Sequence, residues 1–338
     1  MTYKNLFILL IFSCLKLNAQ VSITTIYSSK SNFRAIEVLN DSTVWFANSS
    51  GLVGDVNING KINYYTIPDT LKNHFRAVSS TSKYLYALNI GSPTRLYQFN
   101  KKNYKNPGRV VYTEKHPKAF YDAMAFFDTK NGIAMGDPTD NCLSILTTKN
   151  SGTTWHKIPC SDLPPISKGE AAFAASNSNI TIYKRNAWIA TGGMKSRVFY
   201  THNKGKSWKV FNTPFPQGKA TTGIYSIDFY DAENGIICGG DYTDKQNNSN
   251  NKAITKDGGK TWQIVANGQL PGYISCVQYV PNTKGKEVMA VSTEGVYHSK
   301  NYGHKWEQIS IEGYYTIRFI DKKTAFLGGR DKIAILKF

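Results

Sequence analysis

The stretch Thr255-Lys256-Asp257-Gly258-Gly259-Lys260-Thr261-Trp262 decides the fold, because the chain repeats its pattern. The shared pattern is Ser/Thr-x-Asp/Asn-x-Gly-x-x-Trp, and it recurs at residues 148–155, 201–208 and 299–306. The four tryptophans of the pattern lie 53, 54 and 44 residues apart. Recurrence of one pattern at spacings of this length indicates an architecture built from repeated structural units.

Each copy of the pattern has the chemistry of a tight turn. The Asp or Asn side chain accepts hydrogen bonds from backbone N–H groups that follow it. The glycine adopts the positive φ that a chain reversal needs, and the tryptophan buries a large apolar face. Short apolar segments flank the turns, such as residues 142–146 and 156–158 around the first copy. The pattern therefore predicts a β-hairpin.

A second repeat precedes each turn and completes a four-stranded unit. It consists of an apolar strand, a short turn and a small-residue strand that ends in glycine, as in residues 121–127 and 132–136. Four-stranded units arranged around an axis form a β-propeller. We predict an all-β, seven-bladed β-propeller of four-stranded antiparallel blades in a single domain, residues 20–338. Six blades is the main alternative.

The blade count follows from the predicted inner strands. These begin near Phe33, Phe75, Tyr121, Ala171, Ile224, Ile274 and Thr316. The last unit, residues 314–338, has only three strands, and residues 21–28 form an additional strand. That strand is predicted to complete the last blade and close the ring.

Residues 1–19 have the pattern of a signal peptide. Lys4 precedes the apolar residues 6–12, and Ala19 is a small residue at the expected cleavage site. We expect a secreted or periplasmic protein with no transmembrane segment. The competing interpretation is lipidation of Cys14, for which Phe12 is a poor fit.

Export permits disulfides. Cys142 and Cys160 flank one hairpin, and the sequence leaves open whether these two are bridged or are buried free thiols. The other mature cysteines are Cys238 and Cys276. No cysteine or histidine has metal-ligand spacing, so we predict no metal and no cofactor.

The formal net charge of the chain is +18, and removal of Lys4 and Lys16 with the leader leaves about +16. The lysines are scattered, whereas nucleic-acid grooves favour arginine and basic stripes. We therefore predict no nucleic-acid partner. The charge indicates either a solvated lysine-rich surface or affinity for acidic glycans and anionic cell-envelope polymers.

The repeated turns resemble the Asp-box, or BNR repeat, of sialidases and related propellers. The wider sequence resembles secreted bacterial members of the Ycf48/Hcf136-like (photosystem II assembly factor-like) group. The stretches that carry this resemblance are Gly136-Asp137-Pro138, residues 169–176, and residues 239–243. Proteins of this group are often labelled oxidoreductases or glycosyl hydrolases, but no dinucleotide, haem or flavin motif supports the first label in this sequence.

The propeller register gathers polar residues on one face, formed by the starts of the inner strands and the loops after the second strands. Tyr314 and Tyr315 are expected on that face. The predicted ligand-binding residues there are Arg34, Arg76, Tyr121, Tyr225, Lys195, Arg197, Tyr242 and Arg330.

Four carboxylates are the candidates for acid–base chemistry. They are Asp122, Glu170, Asp137 and Asp241. Asp137 and Asp241 belong to matching Gly-Asp-x-Thr-Asp loops, in which the alternative role of an aspartate is to brace the turn.

Two functions remain open from the sequence. The first is a monomeric binding or assembly module for a glycan or a cell-envelope protein. The alternative is a carbohydrate-active enzyme, a glycosyl hydrolase or lyase, that uses paired carboxylates on the same face. The fold by itself does not decide between them.

Overall fold

The computed structural model describes residues 21–338, which form seven antiparallel four-stranded blades in a ring. The seven-bladed prediction is confirmed, and the six-bladed alternative is wrong. The predicted signal peptide and Cys14 lie outside the described residues. Within residues 21–338 there is no helix with the length and apolar character needed to cross a bilayer.

The N-terminal strand, β1 (Ser22–Asn32), is the outermost strand of the last blade. The first three blades follow it in chain order. Their strands are β2 (Ala35–Asn40), β3 (Thr43–Ala47), β4 (Val53–Asn57) and β5 (Ile62–Tyr64); β6 (Phe75–Ser80), β7 (Tyr84–Asn89), β8 (Thr94–Asn100) and β9 (Arg109–Glu114); and β10 (Tyr121–Phe126), β11 (Gly132–Gly136), β12 (Ser144–Thr148) and β13 (His156–Lys157).

A short 3-10 helix (Cys160–Asp162) lies between the third blade and the fourth and fifth blades. Two of the strands that follow it, Glu170–Ala171 and Gly192–Gly193, have only two residues each. The strands are β14 (Glu170–Ala171), β15 (Ile180–Tyr183), β16 (Asn186–Ala190), β17 (Gly192–Gly193), β18 (Arg197–Thr201), β19 (Lys209–Asn212), β20 (Thr222–Phe229), β21 (Gly235–Asp241), β22 (Lys252–Thr255) and β23 (Gln263–Ile264). Strands β14 and β17 extend the sheet of the fifth blade to six strands.

The sixth and seventh blades complete the ring. Their strands are β24 (Cys276–Tyr279), β25 (Val288–Ser292), β26 (Gly295–Ser299), β27 (Glu307–Ser310), β28 (Thr316–Phe319), β29 (Thr324–Gly328) and β30 (Arg330–Lys337). Strand β1 pairs antiparallel with β30, from Ser22 opposite Lys337 to Asn32 opposite Arg330. As predicted, the start of the described chain supplies the outer strand of the seventh blade.

Apolar clusters between neighbouring blades hold the ring together. One cluster joins the first and second blades around Trp45, and another joins the seventh and first blades around Phe33 and Phe326. Between the fourth and fifth blades, Trp188 stacks on Phe229 with ring centroids 3.8 Å apart. Aromatic side chains of this size provide much of the apolar area that the blades bury against one another.

The repeated turns make the hydrogen bonds expected from their chemistry. In the third copy, Asp257 Oδ1 accepts from the backbone N–H of Thr261 at 3.0 Å, and Thr255 Oγ1 accepts from the N–H of Gly259 at 3.0 Å. Gly259 has φ +85°, and the Trp262 ring N–H donates to its carbonyl at 3.0 Å. These side chains are therefore committed to the turns between the third and fourth strands of their blades.

One predicted blade start is wrong. The fourth blade begins at Ile180, not near Ala171, because residues 172–179 leave the sheet and cross the axis of the ring. We call residues Ala172–Asn179 the plug segment. Seven of its eight residues are buried, and Asn177 bonds with the backbone of Val78 and Met124 in the second and third blades.

The cysteine question is also resolved. Cys142 and Cys160 form a disulfide that ties the start of β12 to the 3-10 helix. Cys238 and Cys276 are buried free thiols.

Candidate functional site

The plug segment divides the axial channel of the propeller into two chambers. The chamber on the face formed by the inner-strand starts, which we call the upper cavity, has a volume of about 630 Å³. The lower chamber, on the opposite side of the plug segment, has a volume of about 290 Å³. Ligands that enter the upper cavity therefore meet a floor formed by residues 172–175.

The upper cavity draws side chains from several blades. Its charged and aromatic lining residues are Arg34, Arg76, Phe120, Asp137, Phe173, Tyr225, Tyr242, Lys245, Tyr273, Tyr315 and Arg330. Each of them lies at the start of an inner strand, in a loop after a second strand, or in the plug segment. The face predicted from the propeller register is therefore the face that contains the cavity.

Two arginines hold the floor in place. Arg34 Nη1 donates to the carbonyl of Ala175 at 3.1 Å, and Arg76 Nη1 donates to the carbonyl of Ala174 at 2.8 Å. The Arg34 guanidinium also lies 3.7 Å from the centroid of the Tyr315 ring. Within residues 21–338, Arg34, Arg76 and Arg330 have no carboxylate at salt-bridge distance.

His74 orients one of these arginines. Its Nε2 accepts a hydrogen bond from Arg76 Nε at 2.9 Å, so this nitrogen carries no proton. Burial, together with the charges of Arg76 and Arg34, lowers the pKa of His74 to about 4. Burial also lowers the pKa of Arg76 to about 10, which leaves the guanidinium charged at neutral pH.

An aromatic wall faces the arginines. Phe173 of the plug segment stacks on Tyr225 with centroids 3.9 Å apart and an interplanar angle of 6°. Tyr273 meets the Tyr225 ring edge-on at 4.9 Å, and Tyr242 does so at 6.4 Å. Tyr242 is 49% exposed, so it presents its ring at the rim of the cavity.

The third wall carries the carboxyl group of Asp137, and the carboxyl group of Asp122 is buried nearby. Asp137 lines the cavity, and its Oδ1 accepts from the backbone N–H of Ala172 at 2.8 Å. Burial raises the pKa of Asp137 to about 6. Asp122 is fully buried behind it, and neither oxygen has a hydrogen-bond partner among the described residues.

Burial raises the pKa of Asp122 well above its usual range, and the charge of Asp137 raises it further, whereas Arg76 opposes the shift. The surroundings of Asp122 therefore favour its neutral form over the carboxylate. An unpartnered buried acid of this kind is costly.

The substitution Asp122→Asn tests this protonation state. An acid whose pKa is higher in the folded state loses stability as the pH rises above the unfolded pKa of about 3.9. Relative to the wild type, we expect the free energy of unfolding of the variant to rise between pH 4 and pH 7, because the variant has no acid to ionise at this buried position. Urea unfolding at both pH values measures it. Asp140→Asn, at an exposed position in the loop after β11, should show no such gain. If the free energies of unfolding of Asp122→Asn and the wild type differed by the same amount at both pH values, the assignment would be contradicted.

The other two candidate carboxylates lie outside the cavity. Glu170 is buried, with Oε2 2.6 Å from Arg197 Nη2 and Oε1 2.6 Å from the Thr191 hydroxyl that donates to it. Asp241 accepts from Lys219 Nζ at 2.6 Å and from the backbone N–H of Thr243 at 2.9 Å, so it braces its own loop. The structure thus places Asp137 and Asp122 together and separates Glu170 and Asp241 from them.

The predicted ligand-binding residues divide in the same way. The structure brings five of them to the upper cavity, namely Arg34, Arg76, Tyr225, Tyr242 and Arg330. Tyr121 instead donates to Glu114 Oε2 at 2.7 Å, Arg197 pairs with Glu170, and Lys195 does not line the cavity.

The lining residues Phe120, Phe173 and Lys245 were not predicted from the sequence. Phe173 lies in the stretch of small residues from Ala171 to Ser176, where a single aromatic residue is the only signal of a special role. Lys245 begins a polar loop, and its Nζ lies 3.2 Å from Glu294 Oε1 at the rim. No group of three or more His, Cys, Asp or Glu residues within residues 21–338 is arranged to hold a metal ion.

Comparison with known proteins places the chain among propellers. The solved structure of YCF48 bound to D1 peptide matches with a TM-score of 0.64 at 12% identity, over 95% of this chain and 97% of that chain. YCF48 from Cyanidioschyzon merolae matches with a TM-score of 0.64 at 16% identity, over 94% and 99%. Virginiamycin B lyase from Staphylococcus aureus gives a TM-score of 0.63 at 14% identity, over 94% and 99%. What these proteins share with this chain is the fold.

The sequence comparisons are narrower. The model of the Sortilin-Vps10 family (Sortilin, neurotensin receptor 3) matches residues 144–270. This region contains three of the four repeated turns. No curated protein matches the chain significantly in sequence.

Proposed function

We propose that this chain is a monomeric binding or assembly module that holds an anionic segment of a protein partner in the upper cavity. The observation that carries the proposal is the convergence of Arg34, Arg76 and Arg330, none with a carboxylate at salt-bridge distance among the described residues, opposite an aromatic wall. Guanidinium groups bind carboxylates with paired, charge-assisted hydrogen bonds. Of the carboxylates in residues 21–338, only that of Asp137 lines the cavity.

A protein partner is favoured over a glycan for two reasons. Arg34 and Arg76 already hold polypeptide carbonyls of the plug segment, so the cavity is shaped around a peptide main chain. YCF48, which has the same fold, binds the D1 peptide in its solved structure. An acidic glycan that stacks a sugar ring on Tyr242 is the alternative ligand.

We also propose that the mature protein is exported and acts as a secreted or periplasmic Asp-box propeller. The leader pattern of residues 1–19 and the Cys142–Cys160 disulfide support this, since disulfides persist in oxidising compartments. A mature N-terminus other than Gln20 would contradict the expected cleavage site.

The test is binding of a fluorescent glutamate-rich peptide, with uronic-acid oligosaccharides as a parallel panel. We expect peptide affinity to fall about thirtyfold in Arg34→Met/Arg76→Met, which corresponds to about 2 kcal/mol from two charged hydrogen-bonding groups. Arg330→Met, an exposed position that does not contact the plug segment, should weaken binding without disturbing the fold. Fluorescence anisotropy of the peptide measures its affinity for the wild type, the double variant and Arg330→Met.

Arg185→Met is the matched control, because Arg185 is exposed in the turn between β15 and β16, on the opposite face. Equal peptide affinity in the wild type and the Arg330→Met variant would reject the proposed site. Binding of the oligosaccharides alone would replace the protein partner with a glycan. Release of reducing sugar from them would favour the carbohydrate-active enzyme, with Asp137 as the candidate carboxylate in the cavity.

A further inference from the structure

Asp137 is the acidic member of an otherwise cationic cavity. Its carboxylate is held by one backbone N–H, that of Ala172, and lies beside the buried carboxyl of Asp122 on β10. Asp122 accepts no hydrogen bond from the described residues, and the charge of Arg76 only partly offsets the effect of its burial. Ionisation of both carboxyl groups at once is therefore disfavoured.

The charges that face this pair come from several elements. They are Arg76 on β6 with His74 before it, Arg34 before β2, Arg330 at the start of β30, Lys245 with Glu294 at the rim, and the phenol groups of Tyr273 and Tyr315. His74 is neutral above about pH 5 because its pKa is lowered to about 4. Lys245 holds the pKa of Glu294 below its usual range. Burial raises the pKa of Tyr273.

Asp137, which lines the cavity, has its pKa raised by burial to about 6, between pH 5 and pH 7.5. Asp228 also has a pKa of about 6, but it lines the lower chamber on the other side of the plug segment.

We propose that the upper cavity is a proton-linked anion site, in which Asp137 takes up a proton when an anionic ligand binds beside Arg76. The inference rests on the proposed function, because it concerns the same cavity. An ionised Asp137 repels an anion bound in the cavity that it lines. A neutral Asp137 removes this repulsion.

The sign of the linkage follows from this arrangement. A bound anion raises the pKa of Asp137 further, so affinity increases as the pH falls through about 6. One linked proton limits the change to about tenfold per pH unit. A partner would consequently be bound more tightly in an acidic medium and released as the medium becomes neutral.

The experiment uses pyrenetetrasulfonate, an aromatic sulfonate that stays fully charged across the pH range. We expect its dissociation constant to fall about fivefold from about pH 7.5 to about pH 5.5 in the wild type. Asp137→Asn, which keeps the oxygen that accepts from Ala172, should bind at about pH 7.5 as tightly as the wild type does at about pH 5.5, with no dependence on pH. Fluorescence titration of the probe measures both.

Asp140→Asn is the matched control, since Asp140 is exposed in the same loop and does not line the cavity. It should keep the dependence of the wild type. A pH dependence that survives in Asp137→Asn overturns the inference. Binding that is equal at both pH values, yet is weakened by Arg330→Met, overturns the inference and leaves the proposed function standing. A wild type that binds the probe at neither pH overturns both.

Discussion

Replacing Arg318 with methionine is expected to lower the free energy of unfolding by about 3–5 kcal/mol, the largest stability loss that we predict. Arg318 Nη2 donates to the carbonyls of Ser176 and Asn177 in the plug segment, at 2.8 and 3.0 Å. Its Nη1 donates to the Thr316 hydroxyl at 2.9 Å and the Ile317 carbonyl at 2.7 Å. Methionine fills similar space but leaves these acceptors with fewer donors.

The consequence extends to the upper cavity. Arg318 fastens the plug segment to the seventh blade from below, while Arg34 and Arg76 hold it from above. If the plug segment shifts, the carbonyls that orient Arg34 and Arg76 shift with it. We therefore expect weaker binding of pyrenetetrasulfonate in the Arg318 variant, even though Arg318 does not line the cavity.

Urea unfolding measures the loss, and two other variants calibrate it. Arg318→Lys keeps the charge, but an ammonium group lacks the planar fork that reaches both segments at once. It should lie between the methionine variant and the wild type. Arg185→Met, at an exposed position, should cost less than about 0.5 kcal/mol. A loss for Arg318→Met no larger than that would show that the plug segment is held by its other contacts.

The plug segment also marks the limit of prediction from the sequence. The blades could be predicted because each repeated turn fixes a local hydrogen-bond pattern and two flanking strands. The plug segment has small residues that resemble a buried strand, which is why the fourth blade was placed near Ala171. Its defining hydrogen bonds come from side chains 98 residues away in one direction, at Arg76, and 142 in the other, at Arg318. No local pattern records such contacts.

The candidate site was predictable to a similar extent. The register of the blades placed Arg34 and Arg76 correctly on the face that contains the cavity. It failed for Tyr121, whose ring packs with Leu88 and Met124 in the apolar cluster between the second and third blades. Its hydroxyl donates to Glu114 Oε2 from that position, so the ring does not reach the cavity.

Gly223→Ala is expected to cost about 3–4 kcal/mol, because two effects add at this position. Strand β20 pairs with β17 at Gly223 and Gly192 alone, and a Cβ on Gly223 would lie 2.4 Å from the Cα of Gly192. To avoid this clash, the backbone of β17 or of β20 has to move, which costs about 1–3 kcal/mol in a packed interior. Gly223 also has φ +148°, a region that residues with a side chain rarely adopt, at a further cost of about 1–2 kcal/mol.

The same contact fixes the aromatic wall. The new Cβ would lie 3.0 Å from Phe173, whose ring stacks on Tyr225. Moving β17 away from β20 should separate these rings, so Gly223→Ala should weaken binding of pyrenetetrasulfonate as well as lower stability.

Gly218→Ala separates the two contributions. Gly218 also has positive φ, at +94°, but no atom outside its chain neighbours lies within 4 Å of an added Cβ. It should therefore show the backbone cost alone, about 1 kcal/mol, with unchanged probe binding. The excess loss in Gly223→Ala then measures how rigidly β17 lies against β20. Equal losses of stability in the two variants would mean that β17 moves away from Gly223 at little cost. The contact between Gly192 and Gly223 could then not be what holds Phe173 against Tyr225.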